Sequence, residues 1–241
     1  MQLARGLDLP RYDDVGGAHP PLQSPAYAST LLRAPRFAPV PLPQGLTEVT
    51  GPLLGEGRVT DADADLTRQS DGDPIGQRIV VQGRVLDGDG RPVPRTLVEI
   101  WQANAAGRYR HDRDQWPAPL DPHFAGAGRT LTDEQGRYRF TTVRPGAYPW
   151  GNHHNAWRPA HIHFSLFGRA FTQRLVTQMY FPDDPLFAHD PIFQAVTDPE
   201  ARRRLVAGFS LADTVPSWAL AYVFDIVLRG RSATPFEQAH A

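Results

Sequence analysis

The sequence predicts an all-β protein: an antiparallel β-sandwich with an irregular, proline-rich N-terminal arm and little helix. Three observations predict it. Prolines number 24 and glycines 21, nearly a fifth of the 241 residues, which suits many short strands joined by turns. A hydrophobic content of 41% with five tryptophans supplies a core and argues against disorder. From Gln77 onward, about seven apolar, β-branched runs alternate with turn residues, the pattern of a sandwich.

Residues 1–75 read as the arm. Turn signals recur at His19-Pro20-Pro21, Ala34-Pro35 and Leu42-Pro43, with one short helical stretch around Tyr27–Arg33. An arm of this composition either wraps a partner subunit or forms a disordered leader. Asp61-Ala-Asp-Ala-Asp65 has the alternating carboxylates of a calcium loop. Leu66 stands where that loop needs glycine and Gly72 where it needs glutamate, so the stretch reads as a linker.

Residues 76–241 read as the sandwich domain. Strands are expected at Arg78–Leu86 and Thr96–Gln102, joined through the tight turn Asp87-Gly-Asp-Gly90. Arg129–Thr132, Arg137–Thr142, His161–Leu166, Arg174–Phe181 and Ala221–Leu228 continue the series, with turns at Asp133–Gly136 and Arg144-Pro-Gly146. Outside the arm, helix is expected only over Asp198–Gly208. There is no internal repeat.

Charge and composition exclude several functions. A formal charge of −1 offers nothing to nucleic acid. The densest basic run, Arg202-Arg-Arg204, has no interleaved aromatic rings and reads as a solvated helix face. With no cysteine there is no disulfide, thiolate metal site or cysteine nucleophile. The first ten residues lack an apolar signal core and no stretch is long enough to span a membrane, so a cytoplasmic protein is expected.

The sharpest chemical feature is Arg158-Pro-Ala-His-Ile-His163. On a strand, residues two apart share a face, so His161 and His163 project together while Ile162 and Phe164 point the other way. Alone, His-x-His is weak, and two unrelated polar histidines explain it more simply. Metals bound by histidine without cysteine recruit oxygen ligands. Two tyrosines stand in Gly/Pro-framed loops, in Gly107-Arg-Tyr109-Arg-His111 and in Pro145-Gly-Ala-Tyr148-Pro-Trp150. Each alone reads as an amphipathic cap on the core.

Together with Trp101-Gln-Ala-Asn104 and Trp157–Phe164, these segments resemble the signature motifs of the intradiol ring-cleavage dioxygenases, in the family's order and spacing. The likeness covers nearly the whole chain. It implies a β-sandwich enzyme that opens a catechol ring between its two hydroxyl-bearing carbons, using O₂ and a non-haem Fe(III) ion. It implies that Tyr109, Tyr148, His161 and His163 hold the iron, with water or hydroxide as fifth ligand. Tyr148 and His163 would be the axial pair, and Tyr148 would leave on substrate binding and accept a catechol proton.

By the same likeness, Arg158 sets its charge beside the substrate, Trp150 and Gln178 line or support the pocket, Ile192 forms a wall, and Tyr27 is a substrate-side tyrosine. Trp101 and Trp157 fit either pocket or core. His153-His154 reads as a variable loop, since neighbours on a strand point oppositely. Segments such as Thr50-Gly-Pro52, Leu120-Asp-Pro122 and Phe224–Gly230 resemble the iron-bearing β subunit of the branch that pairs with a homologous α subunit. The single-subunit branches acting on catechol or hydroxyquinol are the alternative, although they carry a helical domain upstream. A transthyretin-like binding sandwich is the non-enzymatic alternative.

The residue types suit the metal. A free tyrosine titrates near ~10, but a small trivalent cation strips that proton at neutral pH. Fe(III) with two phenolates and one hydroxide is formally neutral, so it suits a partly dry pocket.

Overall fold

A computed structural model describes residues 59–151, 154–167 and 174–236. Tyr27, the rest of the chain before residue 59, and His153 lie outside the described residues. Among the described residues, eleven strands form two facing sheets and a small ribbon.

The first sheet is centred on β1 (Arg78–Leu86), which pairs antiparallel with β4 (Arg137–Val143). Its other side pairs in parallel with β10 (Ala219–Val223) and then β11 (Ile226–Val227). β9 (Gly208–Val215) closes the edge antiparallel to β10. The second sheet is wholly antiparallel, in the order β3 (Ala127–Leu131), β2 (Leu97–Gln102), β7 (His161–Phe167), β8 (Arg174–Tyr180). β5 (Tyr148–Pro149) and β6 (Trp157–Arg158) pair as the ribbon.

The core lies between the sheets. Ile79, Val81 and Phe140 meet Ile100, Ile162 and Phe164, all at most 2% exposed. Phe164 is the hub, with Phe140, Tyr138 and Phe224 ring centroids 5.8, 5.9 and 5.3 Å away. The alternation read from the sequence holds: Ile162 and Phe164 face inward, and the two histidines face outward.

Three sequence expectations need correction. The strand expected at Ala221–Leu228 is broken at Phe224-Asp225, where the Asp225 carboxylate accepts from the Arg84 N–H at 2.8 Å and interrupts the ladder. Gly83 makes the kink fit, because a Cβ there would lie 1.9 Å from the Phe224 carbonyl oxygen. The Tyr138 hydroxyl donates to that same carbonyl at 2.5 Å.

The expected helix Asp198–Gly208 shrinks to α2 (Pro199–Arg203), preceded by an equally short α1 (Pro191–Ala195). Residues past Arg203 are drawn onto the sheet instead, since Tyr180 N–H donates to Leu205 C=O and Ala207 N–H to Tyr180 C=O. The sequence also concealed β9, whose Phe209 and Leu211 are half or more exposed.

The acidic stretch read as a linker is packed on the sandwich. Asp61–Ala64 is one 3₁₀ turn, Asp63 pairs with Arg129 at 3.0 Å, and Leu66 is fully buried in the main core. Among the described residues, no helix is long and apolar enough to cross a membrane.

Candidate active site

The site lies on the outer face of the second sheet, and strand register assembles it. β7 pairs with β2 and β8 so that Trp101, His163 and Gln178 stand in one row across three strands. In the next row His161 faces Tyr180. Side chains in such rows point the same way, away from the core. Trp101 stacks on His163 at 4.8 Å with the planes only 6° apart. Trp157 instead packs edge-on to Trp116 at 5.7 Å.

Two loops bring the tyrosines over these rows. The Tyr109 hydroxyl lies 3.2 Å from His163 Nε2, and the Tyr148 hydroxyl lies 3.4 Å from His161 Nε2. The two phenol rings meet edge-to-face at 5.3 Å, and the two imidazoles at 4.8 Å. Two oxygens and two nitrogens therefore converge in one half-buried to buried spot. Groups of three or more His, Cys, Asp or Glu that could hold a metal are absent among the described residues, and this cluster needs none because half its donors are phenols.

The surroundings of His161 and Tyr148 set their protonation. His161 Nδ1 sits 2.7 Å from the Pro159 carbonyl. A carbonyl only accepts, so Nδ1 carries the proton and Nε2 presents a lone pair to the cluster. Burial, the Arg158 charge and His163 together hold the His161 pKa well below the usual imidazole range, which keeps Nε2 without a proton at neutral pH. Burial pushes the Tyr148 phenol up, while Arg158 and the Tyr109 hydroxyl pull the other way. A phenol so enclosed keeps its proton unless a cation takes the proton's place. On this chemistry the donor set fits a hard trivalent metal such as ferric iron.

Arg158 is 3% exposed and sits at the end of the ribbon, paired across it with Tyr148. Its NH1 lies 3.2 Å from His161 Nε2. Its NH2 donates to Gln178 Oε1 at 2.6 Å, to the Tyr180 hydroxyl at 3.0 Å and to Asp190 Oδ2 at 3.0 Å. Burial works against the charge, but Asp190 offsets it and holds the guanidinium's pKa well above its ordinary value. Trp150 lies against the same guanidinium, its ring centroid 5.6 Å away.

Sequence reasoning therefore found Trp150 and Gln178 near the centre but missed Asp190 and Tyr180. Asp190-Pro191 carries the signature of a helix N-cap, and Asp190 Oδ1 does accept from Ile192 N–H at 3.1 Å. Its second oxygen serves Arg158, which no spacing in the sequence announces. Ile192 is half-buried in the first turn of α1, two residues beyond Asp190. His154 is exposed.

The family model described as dioxygenase matches residues 49–230, and one described as protocatechuate 3,4-dioxygenase beta subunit N terminal matches residues 12–45. The chain is 58% identical to the protocatechuate 3,4-dioxygenase beta chain of Burkholderia cepacia, over 92% of this chain and 94% of that one. It is 30% identical to the protocatechuate 3,4-dioxygenase alpha chain of Pseudomonas putida, over 81% and 96% of the two. Among solved structures, hydroxyquinol 1,2-dioxygenase from Pseudomonas putida DLL-E4 superposes with a TM-score of 0.52 at 25% identity, covering 72% of this chain and 59% of that one. A match across most of the sequence, on a sandwich whose outer face gathers two tyrosines and two histidines, makes this chain a member of the intradiol ring-cleavage dioxygenase family.

Proposed function

We propose that this chain is the iron-bearing β subunit of a protocatechuate 3,4-dioxygenase, cleaving 3,4-dihydroxybenzoate with O₂ to 3-carboxy-cis,cis-muconate in the catabolism of aromatic compounds. The convergence of the Tyr109, Tyr148, His161 and His163 donors carries the reading. These four would hold a non-haem ferric ion, which, when bound, would grip the catechol oxygens and make its ring carbon reactive toward dioxygen.

The chain's own groups supply the rest. The Tyr148 oxygen, a phenolate once a cation has taken its proton's place, would accept one catechol proton and a hydroxide the other, so no separate general base would be required. Asp190, Gln178 and Tyr180 hold the Arg158 guanidinium beside the donors, where its permanent charge stabilises negative charge developing on the substrate. Gln178 commits Oε1 to Arg158, and Tyr180 donates to the same oxygen at 2.6 Å. Among the described residues the buried Gln178 Nε2 has no hydrogen-bond partner. Ile192 and Tyr27 remain assigned to the pocket on the family likeness alone.

A homologous α subunit would complete the enzyme, with residues 1–75 as an arm whose part before the Asp61–Leu66 stretch, itself folded onto the sandwich, packs on the partner, and 76–241 as the catalytic unit. The strong likeness to a beta chain supports this. So do Ile75 and Leu120, which are 71% and 50% exposed on segments joined by the Ile75 N–H to Asp121 hydrogen bond. They sit beside the loop carrying Tyr109, where exposed apolar side chains suit a partner surface.

Oxygen uptake by iron-loaded protein, with and without an α chain, on protocatechuate and on plain catechol tests the proposal. Turnover that prefers protocatechuate and depends on the α chain is expected. Brisk catechol turnover by this chain alone would move it to a single-subunit branch of the family.

A further inference from the structure

Asn104 ends the Trp101-Gln-Ala-Asn segment, just past β2, and is 5% exposed. It binds both tyrosine loops. Its side-chain Oδ1 accepts from Ala106 N–H at 3.0 Å and Arg108 N–H at 2.9 Å, which folds the turn leading into Tyr109. Its Nδ2 donates to the Pro119 carbonyl at 2.9 Å, closing the far end of that loop. Its backbone carbonyl accepts from Gly107 N–H and from Gly146 N–H, each at 3.0 Å. Gly146 is two residues before Tyr148.

The two loops are pressed together at those glycines. A Cβ on Gly107, whose φ is +77°, would lie 2.3 Å from the Ala147 carbonyl oxygen. A Cβ on Gly146 would lie 2.5 Å from the Ala105 carbonyl oxygen and 2.7 Å from Gly107 N. Only glycine allows such backbone approach on both sides. The rest of the segment anchors the clamp. Trp101 stacks under His163, and Gln102 Nε2 donates to the Val143 carbonyl at 2.8 Å, tying β2 to the opposite sheet.

We infer that Asn104 is a positioning residue: it sets the spacing of Tyr109 and Tyr148, and hence whether both phenols reach one metal ion. This rests on the reading of those tyrosines as iron ligands. A clamp of this kind acts on the ligands' geometry, so its loss must change their bond to the metal and not only the stability of the chain.

The full-length protein and its Asn104→Ala and Asn104→Asp variants are loaded with ferric iron. Iron affinity and visible phenolate-to-iron absorbance per bound ion are measured, with circular dichroism as the check on folding. Asn104→Ala is expected to keep the β-rich spectrum, lose about 10–100-fold in iron affinity, and show a shifted, weaker visible band. Asn104→Asp keeps the Oδ1 acceptor but loses the bond to Pro119, so its band should fall between the two.

Folded Asn104→Ala with wild-type affinity and an unchanged band would overturn the inference. If Asn104→Ala does not fold, the near-isosteric Asn104→Asp decides: an altered band in a folded protein supports the clamp, and a wild-type band sinks it. Wild-type protein that binds iron without any visible phenolate band would refute the ligand reading itself, and the inference with it.

Discussion

The two faces of β7 make opposite use of the same seven residues. Ile162 and Phe164 point inward and are fully buried among apolar neighbours. His161 and His163 point outward, also buried, but against phenols, an indole and a guanidinium. The inner face is stabilised by area removed from water, which is indifferent to direction. The outer face has to satisfy every polar group by a bond of fixed geometry. Stability and chemistry are thus separated by one residue of register, and substitutions can test how complete the separation is.

The largest effect is expected on the outer face. His161→Ala removes a proposed iron ligand and should lower turnover by far more than the ~10–100-fold typical of groups that only support a ligand. The unfolding midpoint of the metal-free protein should fall by less than a core deletion costs, because the ring, although 2% exposed and packed against Tyr180 at 5.7 Å, buries less apolar surface than a phenylalanine. A variant that unfolds at markedly lower temperature would show that the two faces are not independent. Phe164→Ala is the converse: removing the hub of the core should cost about 3–5 kcal/mol, read from denaturant unfolding.

Asp190→Asn probes the boundary between the two uses. Asparagine still caps α1, but Arg158 loses the carboxylate that offsets its burial. Breaking one partner of a buried ion pair costs about 3–5 kcal/mol, and the amide should recover part of that. Turnover should fall as well, since the guanidinium then lacks the charged partner that fixes its place beside the histidines. Lost stability without any change in turnover would make Arg158 a purely structural residue.

These contrasts also explain what the sequence made legible. The apolar run Ile79-Val80-Val81 and the alternation along His161–Leu166 mark strands directly, so strands and core could be read one element at a time. Tyr109, Tyr148, His161 and His163 emerged because their motifs occur together. Asp190 and Tyr180 did not, since their role comes from register between β7 and β8 and from a loop returning more than twenty residues later. β9 hid for the opposite reason: at a sheet edge its apolar residues face outward, and no alternation toward a core betrays it. The break at Phe224-Asp225 depends on a carboxylate reaching the backbone of β1, a contact invisible at the level of one strand.

The smallest expected effect sits in that break. Tyr138 is buried beneath Phe164, and its hydroxyl is the side-chain donor to the Phe224 carbonyl. Tyr138→Phe keeps the packing but leaves a buried acceptor short of a donor, so it should cost about 1–3 kcal/mol. Burial, reinforced by the nearby Asp225 charge, raises the pKa of this phenol well above its usual value. A raised pKa means the folded state holds the proton more tightly than the unfolded chain does. Its contribution is therefore complete below the unfolded value of about 10 and is lost as pH climbs beyond it. Denaturant midpoints for wild type and Tyr138→Phe should accordingly differ by a constant amount up to about pH 9 and converge in more alkaline buffer. A gap that persists unchanged at high pH would mean that the hydroxyl acts through packing alone, and that the kink between β10 and β11 needs no donor to hold it.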